Sequence, residues 1–264
     1  MKNLYEFQDI TAKSSQLGLM PEALTFGGIN IDKELAGYRT LNVSGRENYT
    51  RTINTANSTA DGELFISSKI DTAELTIKYQ LNADTIDDFN HKFTQLKYWL
   101  QGNEVAFYFA DENEFVRYGT VTSLVNDNAG TIMTTGTITI KMTDPFRHGQ
   151  EKHVNGTTSA VINDPQMLYA QPIDKITVSV ASETQSIVVN IDNDYDLTLN
   201  GSYTANSTII IDFNALNVYQ NGNSILSNID ITKTNIFEAL VSNGNTVTCQ
   251  QASNISVDYR VRIL

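Results

Sequence analysis

The clearest candidate for a metal site in this sequence is a run of three aspartates at alternate positions, Asp192, Asp194 and Asp196. Calcium loops begin with oxygen ligands at this spacing. The rest of the calcium motif is missing, because Leu197 occupies the sixth position, where a glycine is needed, and Tyr203 occupies the twelfth, where a bidentate glutamate belongs. A polar turn between two strands explains the run better, so we predict no metal site here.

A second acidic group, Asp111, Glu112 and Glu114, has side chains that could serve acid–base chemistry. A glycosidase needs two carboxylates that face each other across a cleft and whose pKa values differ. These three acids lie on one short connector between two strand-like segments, so we expect all three to face water. The pattern favours a turn over a pair of catalytic carboxylates.

The three histidines do not form a zinc-binding pattern. His148 and His153 lie five residues apart in a polar stretch, with no second pair of nitrogen or sulfur ligands nearby. His91 lies in a predicted helix, on the face expected to meet water. The sequence also has no nucleophile elbow, phosphate loop or dinucleotide fingerprint. We therefore predict no enzyme activity, no catalytic residues, no metal and no cofactor.

Most of the chain has the pattern of short β-strands. Residues 73–81 and 135–144 alternate apolar and polar side chains, as half-buried strands do. Residues 104–109 and 115–125 flank the acidic connector and predict an antiparallel hairpin. Asn, Thr and Ser are abundant and disfavour long helices, because their side chains compete for backbone hydrogen bonds.

One segment, residues 85–102, predicts an amphipathic helix. Thr85 can cap its first turn, and Gly102 can end it. Between them the apolar positions follow at helical spacing: Ile86, Phe89, Phe93, Leu96 and Leu100. We expect Phe93 and Leu96 to face the core and to pack on the strand at residues 75–81.

The pattern changes near residue 150. The polar stretch at residues 147–158 has no periodicity and predicts a linker or a long crossing loop. Short strand candidates separated by turns follow it and suggest a β-sandwich. We predict a mainly β (α+β) fold, with an N-terminal β-rich domain that contains one helix at residues 1–150 and a β-sandwich domain at residues 151–264.

The charge balance excludes two classes of partner. The chain has 18 basic and 30 acidic side chains, which give a formal net charge of -12. Such a chain is a poor ligand for nucleic acid and for anionic membranes, since both bind mainly through Lys and Arg. The single cysteine, Cys249, cannot form an internal disulfide, and residues 1–10 lack the apolar stretch of a signal peptide. We expect synthesis in a reducing cytoplasm.

A group of arginines and tyrosines forms the candidate subunit interface: Tyr38, Arg39, Gly45, Arg46, Tyr49 and Arg51. Basic residues interleaved with aromatics can bind nucleic acid, but the acidic composition counts against it. Arg and Tyr are also enriched at protein–protein interfaces. Residues 25–65 have too little apolar periodicity to build a core alone, so we expect a partner subunit, with Arg46 and Arg51 pairing with acidic groups across the joint.

The order of these features resembles the distal tail proteins of long, flexible-tailed (siphovirus) bacteriophages. The step Gly45-Arg46-Glu47 precedes an alternating strand, then the helix with its run at residues 96–100, a hairpin, and a strand that ends at Asp144-Pro145-Phe146. Residues 207–226 are similar to a run in the galectin-like sandwich of that family. The sequence departs from the family at Glu47-Asn48, where many members have Asp-Gly.

The resemblance implies a structural role in the virion. Distal tail proteins form a hexameric ring between the tail tube and the tip, hold the tail-associated tip or fibre protein, and serve as a hub for receptor-binding proteins. The segment around residues 37–51 would be similar to the belt-like arm that links neighbouring subunits in the family. The ring, the tail tube protein and the tip proteins are thus the implied partners, and the tail tip is the implied location.

Two other functions are alternatives to this structural role. In the first, the second domain is a host-adhesion module that binds a cell-wall carbohydrate. Sugar sites on β-sandwiches usually include an exposed aromatic platform, and the tyrosines of this domain show no obvious cluster in sequence: Tyr169, Tyr195, Tyr203, Tyr219 and Tyr259. The second alternative, a glycoside hydrolase, lacks opposed acids.

Overall fold

The computed structural model describes residues 20–59, 61–128, 130–192, 195–232 and 239–264. Asp194 of the aspartate run and the N-terminal residues 1–10 lie outside these ranges. The chain divides into two compact units, of which the first ends at Arg147 and the second runs from His148 to Ile263. The mainly β fold is confirmed. The roles that we assigned to the two domains stay predictions.

The described residues of the first unit form nine strands and two α-helices. They are β1 (Leu24–Phe26), β2 (Ile29–Asn30), α1 (Ile31–Glu34), β3 (Tyr38–Ser44), β4 (Arg51–Asn57), β5 (Glu63–Ile70), β6 (Ala73–Asn82), α2 (Ile86–Trp99), β7 (Val105–Phe109), β8 (Arg117–Asn126) and β9 (Met133–Met142). The two segments predicted from alternation form β6 and β9, and the predicted hairpin forms β7 and β8.

Seven of these strands form one antiparallel sheet, in the order β2-β1-β7-β8-β9-β6-β3. A long pairing joins β6 with β9, in which Leu75 lies opposite Ile140 and Ile77 opposite Ile138. All four side chains are buried. The period of two in the sequence thus places one face of each strand in a common core.

Part of the segment at residues 25–65 is covered within its own unit. Phe26, Ile31 and Tyr38 are completely buried. The strands β4 and β5, by contrast, pair only with each other and form a separate two-stranded sheet. The expectation of a partner therefore applies to the second half of this segment.

The helix α2 begins where the sequence predicts. The hydroxyl of Thr85 accepts a hydrogen bond of 3.1 Å from the backbone N–H of Asp88. Leu96 is buried as expected, whereas Phe93 is only partly buried against the core. Ile86, which we placed on the apolar stripe, is 55% exposed. At the first helical position a side chain lies beyond the end of the packed face, so the periodicity overestimates its burial.

The second unit is a β-sandwich. Its strands are β10 (Arg147–Gly156), β11 (Ser159–Val161), β12 (Gln171–Pro172), β13 (Lys175–Val180), β14 (Thr184–Ile191), β15 (Tyr195–Tyr203), β16 (Thr208–Asp212), β17 (Asn217–Gln220), β18 (Asn223–Ser224), β19 (Leu240–Val241), β20 (Thr246–Thr248) and β21 (Ala252–Ile263). A six-stranded sheet, β10-β21-β13-β16-β17-β18, and a four-stranded sheet, β11-β20-β14-β15, contribute to one buried core; β12 and β19 form a short extra pair.

The prediction of a linker at residues 147–158 is wrong. Most of this stretch is β10, which pairs with β21 at the edge of the six-stranded sheet. Edge strands are held by backbone hydrogen bonds along one side and expose much of their surface. A polar sequence without clear alternation is therefore compatible with this position.

Burial along α2 gives a direct stability prediction. Leu96→Ala removes a fully buried side chain from the core of the first unit and should lower the free energy of unfolding by about 2–5 kcal/mol. Ile86→Ala is the matched control on the same helix and should change it by less than about 1 kcal/mol. Urea unfolding followed by the fluorescence of Trp99, which lies in α2, measures both. Equal losses in the two variants would contradict the observed helix orientation.

Candidate functional site: an exposed hairpin and the ion pairs at its base

The hairpin formed by β4 and β5 (residues 51–70) is the least buried regular structure in the first unit. Every residue of β4 is exposed, and so is every residue of β5 except Ile70. Phe65 is 67% exposed and Ile53 is 60% exposed. A lone two-stranded hairpin is marginally stable in water. Its exposed apolar side chains therefore make the hairpin a candidate contact surface.

The register places apolar side chains on one face of the hairpin. Thr55 lies opposite Phe65, Ile53 opposite Ser68, and Arg51 opposite Ile70, with a bulge after Asn54. Because residues two apart on β4 share a face, and cross-strand partners share it too, Ile53, Phe65 and Ile70 lie on the same side. Leu64 lies on the other side, opposite Ala56.

Polar contacts close the hairpin at its base. The hydroxyl of Thr52 donates to the carboxylate of Asp71 at 2.8 Å, and the backbone N–H of Asp71 donates to the carbonyl of Thr50 at 2.9 Å. Further out, the side-chain amide of Asn54 donates to the hydroxyl of Ser67 at 2.9 Å. These bonds keep the two strands together without burying them.

The chain enters the hairpin through a tight turn at Gly45. Gly45 has φ +96, and a Cβ atom there would lie 2.5 Å from the carbonyl oxygen of Glu74. Only glycine has the required freedom at such a position. The backbone N–H of Asn48 then donates to the carbonyl of Gly45 at 3.2 Å, which closes the turn and directs Arg46 into the first unit.

Arg46 is the centre of an ion-pair cluster that we define as Glu22, Arg46, Asp111, Glu112, Arg117 and Arg147. Its guanidinium donates two hydrogen bonds to Asp111, at 2.9 and 3.0 Å, and lies 3.0 Å from Glu112. The side chain is only 10% exposed. Bidentate arginine–carboxylate pairs of this kind are stronger and more directional than single contacts.

Glu112 receives three guanidinium groups. Besides Arg46, it is 2.7 Å from Arg117 and 2.7 Å from Arg147, and its side chain is 16% exposed. Burial acts to raise the pKa of Glu112, but the hydrogen bonds and charges of Arg117 and Arg46 outweigh it and hold the pKa below the usual value. A carboxylate with a lowered pKa stays ionised and pairs with the surrounding arginines. This arrangement indicates a structural role for Glu112 and does not favour a general acid.

Aromatic rings extend the cluster. The guanidinium of Arg46 lies 4.8 Å, and that of Arg117 5.7 Å, from the centre of the Phe109 ring. Arg147 lies over Phe115 at 5.2 Å. Cation–π contacts of partly desolvated groups add to ion pairing. These contacts join four parts of the first unit at one point: the end of β7, the acidic connector, the start of β8 and the turn after β3.

The expectation that the acidic connector faces water is wrong for Glu112. Asp111 is partly exposed and Glu114 is exposed, as a turn predicts. Glu112 instead points into the arginine cluster, because the backbone N–H of Asp111 donates to the carbonyl of Pro21 at 2.7 Å and the connector coils as a short 3-10 turn. Composition alone did not reveal that arginines from three distant segments converge there.

The six candidate interface residues fall into three groups. Tyr38 and Arg39 are buried in the first unit, with the Tyr38 ring stacked on Tyr79 at 5.6 Å. Gly45 lies in the turn after β3. Arg46 is the centre of the ion-pair cluster and therefore has partners in its own unit. Tyr49 and Arg51 are exposed at the start of the hairpin. Four further residues, Ile53, Leu64, Phe65 and Ile66, were not among the candidates, and they are exposed apolar side chains in an otherwise polar stretch.

The aspartate run does not converge on one point in the described residues. Asp192 accepts a hydrogen bond of 2.7 Å from the backbone N–H of Thr246, whereas Asp196 accepts one of 2.7 Å from the side-chain amide of Asn190. Among the residues that the structure describes, no three His, Cys, Asp or Glu side chains are grouped to hold a metal ion. No described helix has the length and apolar character needed to cross a membrane.

Residues 170–262, most of the second unit, match the family model described as the siphovirus-type tail component, C-terminal domain. This part of the chain is therefore similar to a family of phage tail components. No curated protein sequence matches the chain.

The fold of the chain is similar to that of SPP1 Dit (gp 19.1), a protein described as a paradigm of the hub adsorption apparatus in phages that infect Gram-positive bacteria. The TM-score is 0.74 and the identity 16%, over 90% of this chain and 98% of that one. The predicted relationship to the distal tail proteins is thus confirmed.

Two structures of the phage p2 baseplate in its activated conformation also match, one with calcium and one with strontium. Each is 9% identical. The calcium structure gives a TM-score of 0.46 over 88% of this chain and 92% of that one, and the strontium structure 0.48 over 87% and 92%. These scores are too low to support any detail.

The lowered pKa of Glu112 predicts how stability depends on pH. A carboxylate whose pKa is lower in the folded state stabilises the fold at pH values above its unfolded pKa, and this stabilisation is lost as the pH falls through the folded pKa. Glu112→Gln leaves two or more buried guanidinium groups without their shared anion, so at pH 7 it should lower the free energy of unfolding by about 3–5 kcal/mol.

The control is Glu114→Gln, on the same connector but exposed. It should have almost no effect. Urea titrations at pH 7 and at pH 3, followed by Trp99 fluorescence, should show the wild-type advantage over Glu112→Gln shrinking at the lower pH. An advantage that is unchanged at pH 3 would contradict the ionic role of Glu112.

Proposed function

We propose that this protein is a structural hub of a phage tail tip. Copies of the chain form a closed ring that joins the tail tube to the tip and host-adsorption proteins, and the hairpin at residues 51–70 is the arm by which each copy holds its neighbour. The observation that carries the proposal is the hairpin itself, which is exposed on both strands and presents Ile53 and Phe65 to solvent.

Symmetry explains why one hairpin per copy is sufficient. A hairpin that binds a different surface on the next copy makes a head-to-tail contact, and such contacts close into a ring when the rotation allows. Burying about 100 Å² of apolar surface on each of several side chains contributes roughly 2–3 kcal/mol per side chain, enough to offset the ordering of the strands. The number of six copies follows from the resemblance to distal tail proteins.

The ion-pair cluster supports this role by fixing where the hairpin leaves the first unit. Arg46 precedes β4 by five residues and is held by Asp111, Glu112 and, at 3.6 Å, Glu22. An arm that must reach a neighbour costs less conformational entropy to dock when its base is already ordered. Arg51 and Tyr49, exposed beside that base, extend the proposed contact.

The proposed partners are other copies of this chain, the tail tube protein, the tail-associated tip or fibre protein and receptor-binding proteins. The proposed location is the tail tip of the virion, after synthesis in the cytoplasm of the host bacterium. The protein acts as a joint, without catalysis. Hydrolysis of purified host cell wall that is lost on mutation of Asp111 or Glu114 would contradict this.

The ring is tested by a charge on the hairpin. Phe65→Asp places a carboxylate on the proposed contact face and should convert the ring into monomers, because an unpaired charge cannot be buried without a large desolvation cost. Multi-angle light scattering should give six times the chain mass of 29.3 kDa for the wild type and the single-chain mass for the variant.

The matched control is Tyr98→Asp, an equally exposed aromatic on α2. It should leave the ring intact, and both variants should keep the wild-type far-ultraviolet circular dichroism spectrum, because neither side chain is buried within its own chain. A wild-type monomer at high protein concentration, or a Phe65→Asp variant that remains a ring, would overturn the proposed contact.

A further inference from the structure

The second unit carries a polar cleft of about 390 Å³ on its six-stranded sheet. We define the cleft by its lining residues: Glu151, Asp174, Lys175, Asp212, Asn214 and Arg260. Its volume lies near the lower end of the range for small-molecule sites, roughly 300–1,000 Å³. The first unit and the ring proposed above make no use of this cleft.

An ordered turn forms one wall of the cleft. Between β16 and β17, the backbone N–H of Phe213 donates to the carbonyl of Asp174 at 3.0 Å, and the side-chain amide of Asn214 donates to its carboxylate at 3.3 Å. The backbone N–H of Ala215 donates to Asp212 at 2.8 Å. Leu216 completes the turn with φ 51, an unusual conformation for leucine that costs energy to hold.

Two charged groups in the cleft are incompletely paired by the residues that the structure describes. Oδ2 of Asp174 is buried and has no hydrogen-bond partner, and its nearest cation, Nε of Arg260, is 3.6 Å away. The other side of the Arg260 guanidinium is also 3.6 Å from Glu151. These separations are too long for good hydrogen bonds, so both groups retain capacity for a ligand.

Lys175 adds a third charged group between two acids. It lies opposite Asp212 on β16 and opposite Asp258 on β21, and its ammonium is 2.9 Å from Asp258. An ammonium has three donors, so pairing with one carboxylate leaves others available toward the cleft. The cleft thus mixes acceptors, from Asp174, Asp212 and Glu151, with donors from Lys175, Asn214 and Arg260.

We propose that this cleft binds a saccharide. A hydroxyl group both donates and accepts hydrogen bonds, so a ligand with several hydroxyls can satisfy carboxylates and cationic donors in the same small volume. Phosphate would be repelled by the three acids, a metal ion by Arg260 and Lys175, and an apolar ligand would leave the polar walls unpaired.

An aromatic side chain lies beside the cleft on the same face of the sheet. Asp212 pairs with Asn217, and Tyr219 follows two residues later on β17, opposite Ile210. Because Val218 between them is buried, Tyr219 faces outward with Asp212. A ring at this position can cover one face of a sugar, whose C–H groups are apolar, while the cleft binds its hydroxyls.

The proposal is tested with the full chain. A glycan array that carries oligosaccharides of glucose, galactose, N-acetylglucosamine and rhamnose identifies the best-bound oligosaccharide, and calorimetric titration with that compound measures its affinity. We expect Asn214→Ala to weaken binding roughly three- to tenfold and Arg260→Gln by about tenfold or more, since each removes donors from the cleft. Asn214 is exposed in the turn, so its variant should fold normally.

The matched control is Arg262→Gln, which makes the same charge change two residues further along β21, outside the lining of the cleft. It should keep the affinity within about twofold. Binding by no oligosaccharide on the array would overturn the proposal. So would an unchanged affinity in Asn214→Ala and Arg260→Gln, or an equal loss in Arg262→Gln, which would indicate a general charge effect. The mass of the ring is unaffected by any of these outcomes.

Discussion

The first unit depends on the convergence of three guanidinium groups on Glu112. A carboxylate with this little exposure is unfavourable unless nearby cations replace its water. Arg147 donates a hydrogen bond to it at 2.7 Å, and Arg46 and Arg117 form ion pairs with it at 3.0 and 2.7 Å. Each arginine comes from a different part of the chain. The cluster therefore ties the turn before β4 to the end of β7 and the start of β8, and it determines how the exposed hairpin leaves the sheet.

The hairpin is costly for an isolated chain. Two strands with almost no buried surface gain little beyond their backbone hydrogen bonds, while ordering each residue costs roughly 1–2 kcal/mol of conformational entropy. The proposed ring would remove this imbalance, because a neighbouring copy would cover the apolar face and each copy would both give and receive an arm. The rigid base and the exposed arm thus have complementary roles in the proposed hub.

Much of the fold could be predicted from the sequence, since alternation along β6 and β9 and the cap at Thr85 are local signals. The burial of Glu112 could not, because it depends on Arg46 and Arg147, which are distant in sequence, as well as on the nearby Arg117. The edge strand β10 was missed for a different reason: its pairing is made by the backbone, which carries no side-chain pattern. The arm at residues 37–51 stays a prediction, and the exposed apolar residues at 53 and 64–66 lie beyond it, because it was chosen from its Arg and Tyr residues.

The most direct test is to establish which chain the hairpin touches. A photoreactive benzoylphenylalanine at position 65, in protein mixed from ¹⁴N- and ¹⁵N-labelled chains and then assembled, reports on this by mass spectrometry of the cross-linked peptides. We predict cross-links between light and heavy chains at the statistical proportion, because the arm of one copy contacts the next. Cross-links found only within chains of one label, or none in assembled protein, would contradict a ring held by the hairpin.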